Sequence, residues 1–191
     1  MVEFTEREYG EKPEPEPEKS WSGRWIGIPR LYADCTLDTY QGNDELVDDL
    51  RECRADGIVL RGATGCGKTH LAIAMTRGNA HARFVTVPDL LLRIRDSFNG
   101  GAESEREIIT EYSEIPVLVL DDLGAEKTSE YSITTLYIIL DRRIRDCRRT
   151  IITTNLTQDQ IEETFGARIA SRLAGMENIK INMPDRRKAR K

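Results

Sequence analysis

Eight consecutive residues, Gly62-Ala63-Thr64-Gly65-Cys66-Gly67-Lys68-Thr69, hold the most specific chemistry in this chain. Their spacing is G-x-x-x-x-G-K-[ST], the pattern of a loop whose backbone N–H groups close around phosphate oxygens. Glycine permits that close approach, and the helix expected next presents the positive end of its dipole. Lys68 supplies a point charge to the β- and γ-phosphates, and the Thr69 hydroxyl is a ligand for magnesium. The expected ligands are therefore ATP and Mg2+, held by Gly62, Ala63, Thr64, Gly65, Cys66, Gly67, Lys68, Thr69 and the adjoining His70. A glycine-rich turn can match such a pattern by accident, but here a strand pattern precedes it, and two further motifs follow in order.

The first of these is Val117-Leu118-Val119-Leu120-Asp121-Asp122, an apolar strand ending in adjacent carboxylates. Acids at the end of a buried strand are unfavourable unless they serve a purpose. Asp121 fits the Walker B role of holding magnesium, and Asp122 stands where a general base polarises an attacking water. The second is Thr150-Ile151-Ile152-Thr153-Thr154 followed by Asn155. An asparagine there orients a water against the γ-phosphate, although asparagine also ends strands merely as a turn former. Its distance beyond the Walker B strand favours the sensor role.

These residues need a scaffold of strands ending on one edge. Short β-rich runs at 57–61, 83–87, 117–120, 150–154 and 179–181 alternate with segments of helical spacing. In the clearest helix, 131–147, the residues Ile133, Leu136, Leu140 and Ile144 recur at threes and fours. Alternation of this kind predicts an α/β fold with a parallel sheet covered on both faces. The expected organisation is a Glu/Pro tail over 1–20 that cannot form a core, a lead-in over 21–45, the ATPase domain over 46–183 and a basic tail over 184–191.

Lys and Arg number 28 against 33 Asp and Glu, a net charge of -5, so nucleic-acid binding must rest on local patches. The four cysteines, Cys35, Cys53, Cys66 and Cys147, form no C-x-x-C pair, which argues against a zinc site. No apolar run is long enough to span a bilayer, and the expected location is the cytoplasm, with no membrane partner.

Asp121-Asp122-Leu123-Gly124-Ala125-Glu126, the strand ending at Asn155, and Phe165-Gly166-Ala167-Arg168-Ile169-Ala170-Ser171-Arg172-Leu173 together resemble replicative-helicase loaders of the DnaC/DnaI type, and the transposition helper IstB is similar. The resemblance extends over the lead-in 28–37, the stretch 86–91 and Asp185-Arg186-Arg187. It implies an AAA+ P-loop core of five parallel strands flanked by helices. It also implies a trans-acting arginine finger at Arg172, with Arg168 as runner-up, and a nucleotide or neighbour contact at Arg187. Arg95, Phe98, Ser129 and Tyr131 correspond to segments that touch single-stranded DNA in loaders. The implied partners are a replicative DNA helicase, single-stranded DNA and further copies of the chain in an ATP-dependent spiral homo-oligomer. The implied activity is slow or assembly-dependent ATP hydrolysis during helicase loading. A transposition helper acting on duplex DNA and a non-hydrolysing assembly regulator are the alternatives. Two departures stand out: Asp122 replaces the glutamate most AAA+ ATPases carry, and only the Glu/Pro tail and a short lead-in precede the core.

Overall fold

Five strands, β1 (Gly57–Gly62), β2 (Ala82–Thr86), β3 (Val117–Leu123), β4 (Arg149–Thr154) and β5 (Glu177–Ile181), pair in parallel in the order β2-β3-β4-β1-β5. The computed structural model describes residues 28–98, 103–125 and 129–186. The tail 1–20, the lead-in up to residue 27, Glu126, Arg187 and residues 188–191 lie outside them. All five expected strands are present. β2 ends one residue early because Thr86 turns to cap the next helix, its hydroxyl accepting from the Asp89 N–H at 3.1 Å.

The sheet is buried on both faces, as parallel sheets require. One face presents Val59, Leu118, Leu120 and Ile152 to five helices: α3 (Val87–Ser97), α4 (Glu105–Glu114), α5 (Glu130–Arg145), α6 (Gln158–Phe165) and α7 (Ala167–Ala174). The other presents Ile58, Leu60, Val119 and Ile151 to α1 (Asp44–Glu52) and α2 (Lys68–Ala74). Alternation along β1 decides which residue faces which layer, and each fully buried Leu or Ile contributes roughly 1.5–3 kcal/mol. Cys35 and Tyr40 of the lead-in are buried in the α1/α2 layer.

The α5 stripe differs from the expected one. Leu136, Ile139, Leu140 and Arg143 are buried, whereas Ile144 is 39% exposed. Arg143 takes the inner position because its guanidinium meets a set of main-chain carbonyls there. It donates to Tyr112 O at 2.9 Å, Ile115 O at 2.7 Å and Arg149 O at 2.7 Å. Among the described residues no helix is long and apolar enough to cross a membrane.

Candidate nucleotide site

The loop between β1 and α2 is shaped by Gly65 and Gly67, with φ of 80° and 98°. A Cβ on Gly67 would lie 2.7 Å from the Tyr40 ring, so glycine is required there for packing as well as for conformation. Tyr40 donates its hydroxyl to the Cys66 carbonyl at 2.9 Å, so the lead-in props the loop from outside. Lys68 is only 5% exposed, and its Nζ donates to Gly62 O at 2.9 Å, Ala63 O at 3.0 Å and Asn155 Oδ1 at 2.5 Å. All three acceptors are neutral, so none of them cancels the ammonium's charge.

β4 lies between β1 and β3 and carries both Asn155, just past its end, and Thr153. Asp121, 4% exposed, accepts from Thr69 Oγ1 at 2.9 Å and from Thr153 Oγ1 at 2.7 Å. Burial pushes the Asp121 carboxyl above the usual carboxylate range; the Thr153 hydrogen bond opposes this, the Asp122 charge adds to it, and Thr69 and Lys68 oppose it. The β3–β4 register shifts between Leu120 and Leu123, and Asp122 sits in that bulge at φ 58° with its N–H donating to Thr153 Oγ1 at 2.9 Å. Aspartate tolerates this left-handed conformation better than glutamate does, which accounts for the departure at this position. Thr153 thus holds the Asp121 carboxylate and the Asp122 main chain, a role not drawn from the sequence. Its signal in the sequence is the pair Thr153-Thr154, two hydroxyls closing a buried strand after Ile151-Ile152.

The residues fit a magnesium nucleotide. Two convergent hard-oxygen ligands, Thr69 and Asp121, would hold the metal, which when bound neutralises triphosphate charge. An Asp121→Asn substitution follows as a test of the site's electrostatics. A carboxyl whose folded pKa is raised contributes stability that is present in acid and lost as pH rises through the folded pKa. The Asp121→Asn chain keeps the acceptor oxygen without the charge, so it should be more stable than wild type by roughly 1 kcal/mol near neutral pH. That advantage should disappear as pH is lowered towards the ordinary carboxylate value. Urea unfolding of both chains across pH measures it, and an Asp121→Asn chain less stable at neutral pH would refute it.

The structure separates the other expected residues. His70 faces away from the phosphate loop: its Nε2 lies 2.9 Å from Thr36 O and its Nδ1 3.3 Å from Cys35 Sγ. The side chain of this third residue of α2 therefore points to the lead-in rather than along the loop, and the part of His70 left to face a nucleotide is its backbone. Arg172 donates through Nε to Asp141 Oδ1 at 3.0 Å and stacks 4.3 Å over the Tyr137 ring, and its hydrogen bond holds Asp141 below the usual carboxylate range. It shares a cleft with Gly57, Thr150 and Glu177, at the edge where β1, β4 and β5 begin. With β1 six residues long, that edge lies roughly 20 Å from the phosphate loop. Arg168, on the same helix, is exposed. Arg187 lies outside the described residues, but Arg186 donates its N–H to Gly65 O at 3.0 Å and stacks 3.8 Å over Tyr40, a contact the sequence did not suggest.

Of the residues expected at DNA, Phe98 at the end of α3 and Tyr131 in α5 meet edge to face, ring centroids 5.3 Å apart, and are 54% and 39% exposed. Arg95 is exposed on the same end of α3. The Tyr131 hydroxyl donates to Glu105 Oε1 at 2.6 Å, and burial followed by that contact pushes its pKa up to about 12. Ser129 is the N-cap of α5, accepting from the Ser132 N–H at 3.1 Å.

A phosphate loop after β1, a buried acid at the end of β3, and an asparagine bonded to Lys68 at the end of the strand inserted between them define an AAA+ P-loop nucleotide-binding domain. The chain belongs to the IstB-like ATP binding protein family, whose model matches residues 37–174. It is 28% identical over 162 residues to the replicative helicase loader DnaC of Escherichia coli (strain K12), an alignment covering 77% of this chain and 66% of that protein. The crystal structure of the DnaC helicase loader superposes with a TM-score of 0.69 at 24% identity, covering 81% of this chain and 100% of that one. The crystal structure of DnaI gives 0.67 at 25% identity, covering 83% and 94%. The chain thus spans slightly under two thirds of the length of its DnaC relative.

Proposed function

We propose that this protein is a cytoplasmic, ATP-dependent loader of a replicative ring helicase onto single-stranded DNA. The observation that carries the reading is the separation of the two halves of the ATPase machinery. Lys68, Thr69, Asp121 and Asn155 converge at one edge of the sheet, and Arg172 lies at the other. An arginine that cannot reach its own phosphate loop acts on the nucleotide of a neighbouring copy, which makes hydrolysis depend on assembly. Arg172 leaves a partly exposed pair with Asp141 to do so; such pairs are worth only about 0–1 kcal/mol. Arg168 is the alternative finger. Lys68 neutralises phosphate charge, Thr69 and Asp121 hold magnesium, Asn155 orients the water and Asp122 accepts its proton. Similarity to DnaC supports the helicase as partner.

The Phe98–Tyr131 pair with Arg95 forms a stacking platform beside a cation, suited to unpaired bases. Replacing both aromatics with alanine should weaken single-strand binding by roughly 1–3 kcal/mol per stacked base lost. The decisive experiment captures partners on the tagged chain in ATP, with Lys68→Ala as control, and measures strand preference by anisotropy. Recovery of the helicase and a single-strand preference removed by the double alanine substitution support the proposal. A transposase partner and a duplex preference would replace it with the transposition-helper reading, which the IstB-like family match favours. Saturable ATP binding without turnover in the presence of DNA and helicase would leave an assembly regulator.

A further inference from the structure

The connection from β4 to α6 touches four parts of the molecule within four residues. Asn155 accepts from Lys68 at 2.5 Å. Leu156 packs so closely on Gly124, just beyond the Walker B acids, that a Cβ there would lie 2.5 Å from Leu156 Cδ1. Gln158 then makes two hydrogen bonds in opposite directions. Its Oε1 accepts from Arg61 at 2.5 Å, and its Nε2 donates to the Ala170 carbonyl at 2.9 Å.

Each end of that bridge has a meaning. Arg61 immediately precedes Gly62, and its bond to Gln158 is the one side-chain hydrogen bond it makes among the described residues. Its Nε is buried without a partner. Ala170 sits on α7 between Arg168 and Arg172. Gln158 is not needed to start α6, because Thr157 and Gln160 already form a complete capping box there. A side chain free of local duty, with both ends of its amide engaged across two elements, is positioned to transmit displacement rather than to stabilise its own helix.

We infer that Gln158 is a positioning residue that couples the nucleotide site to the arginine-bearing helix α7, through Arg61 on one side and the Ala170 carbonyl on the other. Movement of Lys68 and Asn155 on nucleotide binding shifts the 155–158 segment, and Gln158 carries that shift to α7, setting the presentation of Arg168 and Arg172. The consequence for assembly rests on the proposed trans role of those arginines; the coupling within one chain does not. Energetic coupling rests on an element whose arrangement both sites bias, and this short connection touches both.

The test is hydrogen–deuterium exchange of the full chain with and without ATP and magnesium, read at residues 62–69 and 167–174. In wild type both segments should change protection. In Gln158→Leu the 62–69 response and the ATP affinity should stay within about twofold of wild type, while the 167–174 response is lost and ATP-dependent self-association weakens roughly tenfold. Gln158→Glu keeps the acceptor for Arg61 and removes the donor to Ala170, so it should lose the α7 response at an unchanged thermal midpoint. That second variant separates coupling from a folding defect. An α7 response that persists in both variants, or that is absent from wild type, overturns the inference. A response that runs through Gln158 in a wild-type chain that never self-associates upholds the coupling and removes the trans-arginine reading instead.

Discussion

An Arg143→Leu chain is expected to lose about 4 kcal/mol of stability or more, enough to unfold a domain whose total is roughly 5–15 kcal/mol. Arg143 has no exposed surface, yet no carboxylate is among its hydrogen-bond partners. Its guanidinium donates to Tyr112 O, Ile115 O, Arg149 O and Thr150 Oγ1 at 2.7–2.9 Å, tying the end of α4 to the start of β4. Two effects oppose each other. Burial, with the Arg148 charge in addition, pushes the Arg143 pKa down to about 9, so holding the cation here is unfavourable. Leucine relieves that but leaves several buried carbonyls without a donor, at about 1–3 kcal/mol each, and the second effect wins. Lysine has three donors and lacks the planar fork, so Arg143→Lys should lose about half as much. Urea unfolding of the three chains decides it. A leucine variant within about 1 kcal/mol of wild type would show that water or local rearrangement satisfies those carbonyls.

Arg143 is hard to see in the sequence for a physical reason. A charged residue in a helical pattern reads as solvent-facing, so the expected apolar stripe runs through Ile144, and nothing local reveals that the neighbouring turns offer carbonyls. The phosphate loop, the acid pair and Asn155 are legible because each is fixed by close spacing at the end of an apolar run, where local pattern and global fold agree. What cannot be read depends on contacts between segments distant in sequence. The bulge at Asp122 exists because Thr153 on the adjacent strand takes its N–H. Tyr40 braces the phosphate loop from the lead-in, and His70 turns towards that lead-in. The Phe98–Tyr131 pair joins the end of one helix to the start of another. Ser129 offers a hydroxyl that could reach a ligand, whereas helix capping is the commoner use of a serine before an acidic first turn.

The same bulge sharpens the test of hydrolysis. On the proposed reading Asp122→Asn should reduce ATP turnover by on the order of 10²–10⁴ while leaving ATP affinity within about twofold, because it would remove only the proton acceptor. Asparagine is the suitable replacement, since it shares aspartate's tolerance of φ 58° and keeps the N–H bond to Thr153. Alanine would add backbone strain of order 1–3 kcal/mol and confuse a catalytic loss with a displaced Walker B strand. Glutamate offers the longer reach of most AAA+ ATPases but must adopt the left-handed conformation at about 1–2 kcal/mol. Asp122→Glu is therefore expected to raise turnover and lower the unfolding midpoint together. Steady-state turnover with DNA and partner present, alongside nucleotide titration, separates the cases. If the Asp122→Asn chain turns over as fast as wild type, the base lies elsewhere. If Asp122→Glu abolishes turnover without weakening binding, the bulge was selected for the shorter acid's position, and reach does not limit the rate.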